Sequence, residues 1–259
     1  MRRAIPWLGL LLLAISFVWF VQLSVPRHPA VTEQNPHPGR AEQPLVVVLD
    51  PGHGGQDSGA MCGTVLEKDL TLDVALRTEL LLRAAGFTTA LTRADDRYVS
   101  LAERASLGNR EDNALFVSIH FNDNPRTTAS GIETYYALRQ SDSLPGFFAW
   151  LRFLRRAEAS PLAAQSESLA SFIQSALVER TQALNRGIKP EQFYVISNVR
   201  HPAALVEGGF LTNKSDVTKL TTTDYRQQIA SAISDGVCRF RDAIKAGQPT
   251  LTLAAAQSE

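Results

Sequence analysis

Two histidines in this sequence stand at the ends of apolar runs, the pattern of a metal site at one edge of a β-sheet. His53 closely follows the run Leu45–Leu49, and His120 directly follows Ala114–Ile119. Ligands of α/β proteins gather beyond the carboxyl ends of such strands, where Glu67 can join both imidazoles. A His, Glu, His set gives Zn²⁺ three ligands and leaves a fourth position open for water. These residues predict a catalytic rather than a structural zinc site.

The loop around His53 admits simpler interpretations. Its glycines, in DPGHGGQDSG, are also found in phosphate-binding loops, but the Gly-Lys-Ser/Thr ending of those loops is missing. A plain turn with a solvated histidine is the other alternative. Asp50 is a candidate acceptor that orients His53, although Asp before Pro is common in turns. Glu67 alone could simply interact with a helix dipole.

A second carboxylate stands at another strand end. Glu207 follows the apolar run Ala203–Val206 and precedes a Gly-Gly pair that allows a sharp turn. A carboxylate in that place can act as a general base, whereas the alternative is a solvent-facing or ion-paired glutamate. Asn122, just beyond His120, is placed to hydrogen-bond a substrate, and a role in capping the loop is the alternative.

The hydrophobic pattern alternates between strand and helix from Leu45 onwards, which predicts a sheet covered by helices. The predicted strands are Leu45–Leu49, Phe87–Thr92, Ala114–Ile119, Ile132–Ala137, Gln192–Ser197 and Ala203–Val206. The predicted helices are Lys68–Ala85, Leu101–Asn109, Ser168–Leu184 and Asp224–Lys245. We expect one domain over residues 45–245 and a loose tail over residues 246–259.

The N-terminal region has the composition of an export segment and a spacer. Residues 1–25 carry two arginines before a long apolar run, which predicts a signal peptide or a membrane anchor, and we favour the uncleaved anchor. Residues 26–44 are rich in proline and predict an extended linker. The positive-inside tendency then places the domain in the periplasm or elsewhere outside the cytoplasm. If residues 1–25 stay uncleaved, we expect them to anchor it in the inner membrane.

Charge and cysteine content exclude several classes of function. The 259 residues have a formal net charge of +0, which argues against a nucleic-acid partner. Cys62 and Cys238 lack CxxC spacing, which excludes a cysteine zinc cluster and a disulfide framework. We expect both thiols to be free.

Four ordered motifs, VVLDPGHGGQDSGA, LEKDL, SIHFN and LVEGGFLTN, closely resemble the zinc-dependent N-acetylmuramoyl-L-alanine amidases of the type 3 catalytic family. The resemblance implies a single α/β domain with a twisted, mostly parallel sheet of about six strands. It implies His53, Glu67 and His120 as ligands of one Zn²⁺ and Glu207 as the catalytic glutamate. The implied reaction is hydrolysis of the amide between N-acetylmuramic acid and L-alanine in peptidoglycan, for wall remodelling or daughter-cell separation.

One segment departs from the simpler members of that family. Residues 138–167 form an insertion by comparison, and part of it, PGFFAWLRFLRRA, is both aromatic and basic. Such a segment can pack on the domain, touch a membrane or bind a regulatory protein. By analogy with relatives whose inserted helix covers the zinc, Glu158 or Glu167 is a candidate inhibitory ligand, and ordinary packing is the alternative.

Two other functions remain open at this point. A zinc carboxypeptidase-like peptidase acting on stem peptides would use similar ligands, but it needs an arginine for the terminal carboxylate that we cannot assign. A non-catalytic wall-binding or regulatory domain would keep the fold. The presence of all four site residues argues against it, because a decayed enzyme has no chemical need for them.

Overall fold

Residues 45–140 and 160–247 are described by a computed structural model of the chain. Within these ranges the strands are Val46–Pro51 (β1), Met61–Cys62 (β2), Val65–Leu66 (β3), Thr88–Leu91 (β4), Ala114–Asn122 (β5), Ile132–Tyr136 (β6), Asn185–Pro190 (β7) and Ala203–Phe210 (β8). The helices are Glu67–Ala84 (α1), Leu101–Gly108 (α2), Pro161–Thr181 (α3), Tyr194–Ser197 (α4), Lys214–Leu220 (α5) and Thr223–Lys245 (α6).

The main sheet has six strands in the order β4-β1-β5-β8-β6-β7. Its neighbouring pairs are parallel except for β6 and β8, which run antiparallel. Strands β2 and β3 form a separate antiparallel pair just before α1. The predicted α/β fold, with a mostly parallel sheet flanked by helices, is confirmed.

Helices cover both faces of the sheet, which explains why its central strands are continuous apolar runs. Alternate residues of β1 enter different cores: Val47 packs with α1, α3 and α6, whereas Val48 packs with α2 and α4. Burial of apolar side chains stabilises such a core by about 1.5–3 kcal/mol for each fully buried Val, Leu, Ile or Phe. The sheet is therefore a rigid base for the residues that follow its strands.

The helix starts are set by local capping. Ser100 and Glu103 form a reciprocal capping box at the start of α2. Helix α3 starts earlier than predicted, because Ser160 caps it and Pro161 occupies its first turn. The end of the predicted insertion, residues 161–167, thus belongs to α3, while residues 141–159 lie outside the described ranges.

One predicted strand is wrong. The segment Gln192–Ser197 contains helix α4, and the edge strand lies earlier, at Asn185–Pro190. In α4 the consecutive residues Val195 and Ile196 are both buried against the sheet, which a single helical turn permits. The edge strand was missed because its residues, NRGIKP, are mostly polar and half-exposed.

The predicted anchor or signal peptide, the linker and most of the tail fall outside the described residues. Among the helices within the described ranges, none is long and apolar enough to span a bilayer. The two cysteines are free, as expected: Cys62 is exposed and Cys238 is half-buried.

Candidate metal centre

The loop after β1 is held by two buried arginines. Arg104 donates to the carbonyl oxygens of Pro51 at 2.6 Å and His53 at 2.5 Å, and Arg93 donates to that of Gly52 at 2.8 Å. His53 has a left-handed backbone conformation, with φ of 60°. Histidine adopts this conformation more readily than bulky or β-branched residues do. The anchored carbonyls fix the turn that presents the imidazole.

Asp50 does not orient His53, and that prediction is corrected. Its buried carboxylate accepts hydrogen bonds from Thr92 at 2.6 Å, Arg104 at 2.7 Å and Ser118 at 2.8 Å. Side chains alternate along a strand, so Asp50 shares the face of Val48, which is covered by α2 and α4. Asp50 therefore acts on the loop only through Arg104.

Asp57 is the residue that contacts Nδ1 of His53. Its Oδ2 lies 2.9 Å from Nδ1 of His53, and its Oδ1 accepts from the backbone N–H of Gly59 at 3.1 Å. Burial lowers the pKa of His53, but hydrogen bonds and charges of Glu67 and Asp57 outweigh it, so the pKa is raised. A carboxylate on one ring nitrogen fixes which nitrogen is left for a metal.

Glu67 connects the two histidines. It is the first residue of α1, and its Oε1 lies 3.1 Å from Nε2 of His53 and 2.9 Å from Nδ1 of His120. Backbone N–H groups of Ala60 and Phe121 donate to its two oxygens at 2.8 and 3.1 Å. Burial raises the pKa of Glu67, yet the contacts with His120 and His53 lower it far more, so the carboxylate is ionised.

His120 occupies space that only glycine leaves free. It lies near the end of β5, and a Cβ on Gly52 would stand 2.2 Å from its Cε1 atom. The rings of His53 and His120 meet edge to face, with 4.9 Å between their centroids. The backbone of the loop after β1 is therefore in tight steric contact with the His120 ring near the end of β5.

The predicted ligands converge. One ligand atom from each of His53, Glu67 and His120 lies within 4.8 Å of the other two. Two imidazole nitrogens and a carboxylate oxygen are a ligand set that Zn²⁺ accepts. Hydrogen bonds to His53 and Glu67 hold these side chains in the convergent arrangement. The residues present therefore fit a zinc ion.

Glu207 lies beside this group. It is paired in register with His120 on the neighbouring parallel strand. Its Oε2 is buried and has no hydrogen-bond partner among the described residues. Burial is the main reason that the pKa of Glu207 is raised well above its ordinary value, and the negative charges of Glu67 and Glu133 raise it further. A carboxylate in this state is suited to exchanging a proton.

A cluster around Glu133 was not predicted from the sequence. Its Oε1 accepts from Asn122 at 2.6 Å and Tyr135 at 2.7 Å, and its Oε2 accepts from Arg186 at 2.8 Å and Lys189 at 2.5 Å. Burial raises the pKa of Glu133, but the bonds from Lys189, Tyr135 and Arg186 lower it overall. The side-chain amide N–H₂ of Asn122, a predicted substrate contact, is thus already engaged by Glu133.

The candidate inhibitory residue Glu167 is not part of the convergent group. Glu167 lies on α3, where it interacts with Tyr136. Burial is the main cause of the raised pKa of the Tyr136 phenol, and the charge of Glu167 adds to it. Glu158 lies outside the described ranges. An inhibitory role for either residue stays a prediction.

Comparison with known proteins identifies the family. A family profile described as N-acetylmuramoyl-L-alanine amidase matches residues 47–239. The chain belongs to this amidase family. The enzyme class predicted from the sequence is confirmed with it.

The relatives of this amidase domain differ in length. The N-acetylmuramoyl-L-alanine amidase LytC of Bacillus subtilis is 37% identical over 194 residues, which cover 75% of this chain and 35% of that protein. The chain thus spans about a third of that relative. The crystal structure of an N-acetylmuramoyl-L-alanine amidase from Clostridium difficile 630 matches with 33% identity and a TM-score of 0.66, covering 77% of this chain and 98% of the other.

A further solved structure contains a partner. The CwlD amidase of Clostridioides difficile, solved in complex with the GerS lipoprotein, matches with 26% identity and a TM-score of 0.65. The match covers 76% of this chain and 98% of CwlD. The amidase fold of that relative therefore accommodates a bound lipoprotein.

Proposed function

We propose that this protein hydrolyses the amide between the lactyl group of N-acetylmuramic acid and L-alanine in peptidoglycan, with zinc as cofactor. The observation that carries the proposal is the convergence of His53, Glu67 and His120 beside the buried carboxyl group of Glu207. The family match supports the choice of this amide over other carbonyl substrates.

His53, Glu67 and His120 would hold one zinc ion. When bound, zinc lowers the pKa of a coordinated water toward neutrality and polarises the scissile carbonyl. Asp57 keeps the His53 ring in place through Nδ1, and the N–H groups of Ala60 and Phe121 fix the Glu67 carboxylate. The ligands are therefore oriented before the substrate binds.

Glu207 would be the general base and then the general acid. Its carboxylate accepts the proton of the attacking water, and the same group donates that proton to the nitrogen of the leaving alanine. The raised pKa of Glu207 serves the second step, because a carboxyl group that holds its proton more firmly keeps it until the leaving nitrogen takes it. Asn122, which donates one amide N–H to Glu133, would hydrogen-bond the substrate through its second amide N–H.

We place the protein outside the cytoplasm, where its proposed substrate lies. Residues 1–25 would deliver the domain and anchor it in the inner membrane if they are not cleaved. The insertion at residues 138–167 would bind a regulatory protein or inhibit the domain. If the segment inhibits the domain, deletion of residues 143–158 should raise basal peptidoglycan hydrolysis, and unchanged activity in a folded variant would contradict inhibition by this segment.

Mass analysis of the products formed from purified muropeptides tests the reaction. An amidase releases intact stem peptides that begin with L-alanine and leaves the glycan with a free lactyl carboxylate. This release should stop when a chelator removes the metal and return when Zn²⁺ is added. Activity that resists the chelator would contradict the metal dependence.

The same assay separates the alternatives. Cleavage only within the stem would indicate a peptidase, and binding without any cleavage would indicate a non-catalytic wall-binding domain. The Glu111→Gln variant is a matched control, because Glu111 is exposed and precedes the start of β5, whereas His120 lies near the end of that strand. Equal loss of activity in this control and in a Glu207 variant would contradict the role of Glu207.

A further inference from the structure

The Glu133 cluster carries more positive than negative charge. Arg186 and Lys189 both donate to the same oxygen of Glu133, whose other oxygen is occupied by the neutral donors Asn122 and Tyr135. One carboxylate thus compensates two cations. Within the described residues, neither cation has an ion pair with any other carboxylate.

The two cations are more accessible than the carboxylate they share. The side chain of Lys189 is 40% exposed and that of Arg186 is 28% exposed, whereas that of Glu133 is 3% exposed. An ammonium group has three N–H donors and a guanidinium has five. Donors of both residues therefore remain for a ligand that approaches from solvent.

The cluster adjoins the proposed catalytic glutamate. Glu133 is directly opposite Glu207 in the antiparallel pair of β6 and β8, and Lys189 aligns with Tyr135 on the next strand, β7. Neighbouring strands are about 4.8 Å apart, so β7 lies about 10 Å from β8. When the scissile amide of a substrate lies at Glu207, a group on the next residue of the substrate can therefore reach the Lys189 ammonium.

The charge of the proposed substrate indicates which part of it lies there. The N-acetylated glycan is uncharged, and the lactyl carboxyl is consumed in the scissile amide, so the nearby anionic groups belong to the stem peptide. In stems where the second residue is a glutamate joined through its γ-carboxyl, a free α-carboxylate lies one residue beyond the alanine. Carboxylates form strong, charge-assisted hydrogen bonds with ammonium and guanidinium donors.

We propose, resting on the proposed amidase function, that Lys189 and Arg186 bind the free α-carboxylate of the second stem residue. This makes Lys189 a specificity-determining residue that distinguishes acidic from amidated stems on the leaving-group side of the scissile bond. A purely structural ion pair with Glu133 would affect both kinds of stem equally. Substrate preference, rather than rate alone, is therefore the informative quantity.

The test compares two muropeptides that differ only in a carboxylate or a carboxamide on the second stem residue. Zinc-loaded wild-type protein should show a kcat/KM about tenfold higher for the carboxylate form, the ratio expected for one charge-assisted hydrogen bond. Lys189→Met should reduce this preference to below about threefold, mainly through loss on the carboxylate form, and Lys189→Arg should retain most of it. Lys214→Met, at an exposed lysine, is the control that should keep the full preference.

The outcomes separate this inference from the amidase function. Equal rates of stem release from both substrates by wild-type protein, or full preference in a folded, zinc-loaded Lys189→Met variant, would overturn the carboxylate site alone. Release from neither substrate would overturn the amidase function. Binding of the free acidic and amidated stem peptides then decides the inference, because equal affinities for the two would overturn it as well.

Discussion

Nδ1 of His53 lies 2.9 Å from Oδ2 of Asp57, so the acceptor that orients this imidazole comes from the same loop, four residues later. The other ring nitrogen, Nε2, faces Glu67. The loop therefore supplies one of the three proposed ligands together with the group that fixes its ring.

Replacing Asp57 should weaken zinc binding. Asp57→Asn removes the negative charge that fixes the His53 ring, and loss of such an acceptor typically lowers metal affinity about 10- to 100-fold. Competition of the protein with a fluorescent chelator measures this affinity. Asp242→Asn, whose side chain is 64% exposed on α6, is the control. Equal zinc affinities of the two variants would contradict the orienting role of Asp57.

The pH profile should reflect the environment of Glu207. Its carboxyl must be ionised to accept a proton, and its raised pKa moves that ionisation to higher pH than the ordinary 4.5. We expect kcat/KM to rise as pH increases through this raised pKa. Glu133→Gln removes one neighbouring negative charge and should move the acidic limb to lower pH. An acidic limb that stays in place or moves to higher pH would contradict this electrostatic coupling.

The ion pair of Arg104 and Asp50 should matter for folding. Their side chains are 4% and 0% exposed, and breaking a buried pair by removing one partner costs about 3–5 kcal/mol. Arg104→Met should lower the free energy of unfolding by that amount, measured in urea. Arg239→Met, which breaks an exposed pair with Glu179, should cost less than about 1 kcal/mol. Similar losses in the two variants would contradict a structural role for Arg104.

A single methyl group at Gly52 should displace His120. The added Cβ would lie 2.2 Å from the imidazole, which leaves the ring no room in its present position. Gly52→Ala should therefore lower zinc affinity at least about tenfold, since a proposed ligand is moved. Gly86→Ala is the control, because its Cβ would meet no atom within 4 Å although its φ of 84° is strained. Zinc binding that is unimpaired in Gly52→Ala would contradict this packing.

The strand ends were predictable from the sequence for a simple reason. Buried parallel strands are continuous apolar runs, and the polar residue that ends each run lies at the same edge of the sheet. His53, His120 and Glu207 were all placed by this rule, and Glu67 followed from its position at the start of α1. The family resemblance added the reaction to this geometry.

Other features could not be predicted because they depend on contacts between distant segments. The choice of Asp57 over Asp50 depends on which of the two covered faces of β1 Asp50 points to, and on that face Arg104 donates to its carboxylate. The face of Glu133 depends on the pairing of β6 with β8. Strand β7 lacks an apolar run since it lies at the edge of the sheet, so the cationic residues on it were not connected with the site.

The most direct measurement of the central claim is made on one variant, Glu207→Gln. Its zinc content and its release of stem peptides from muropeptides are measured on the same preparation. We predict that it keeps one zinc per chain while stem release falls about 10²- to 10⁴-fold, the usual contribution of a general base. Stem release within about threefold of wild type in the zinc-loaded variant would contradict the proposed catalytic role of Glu207.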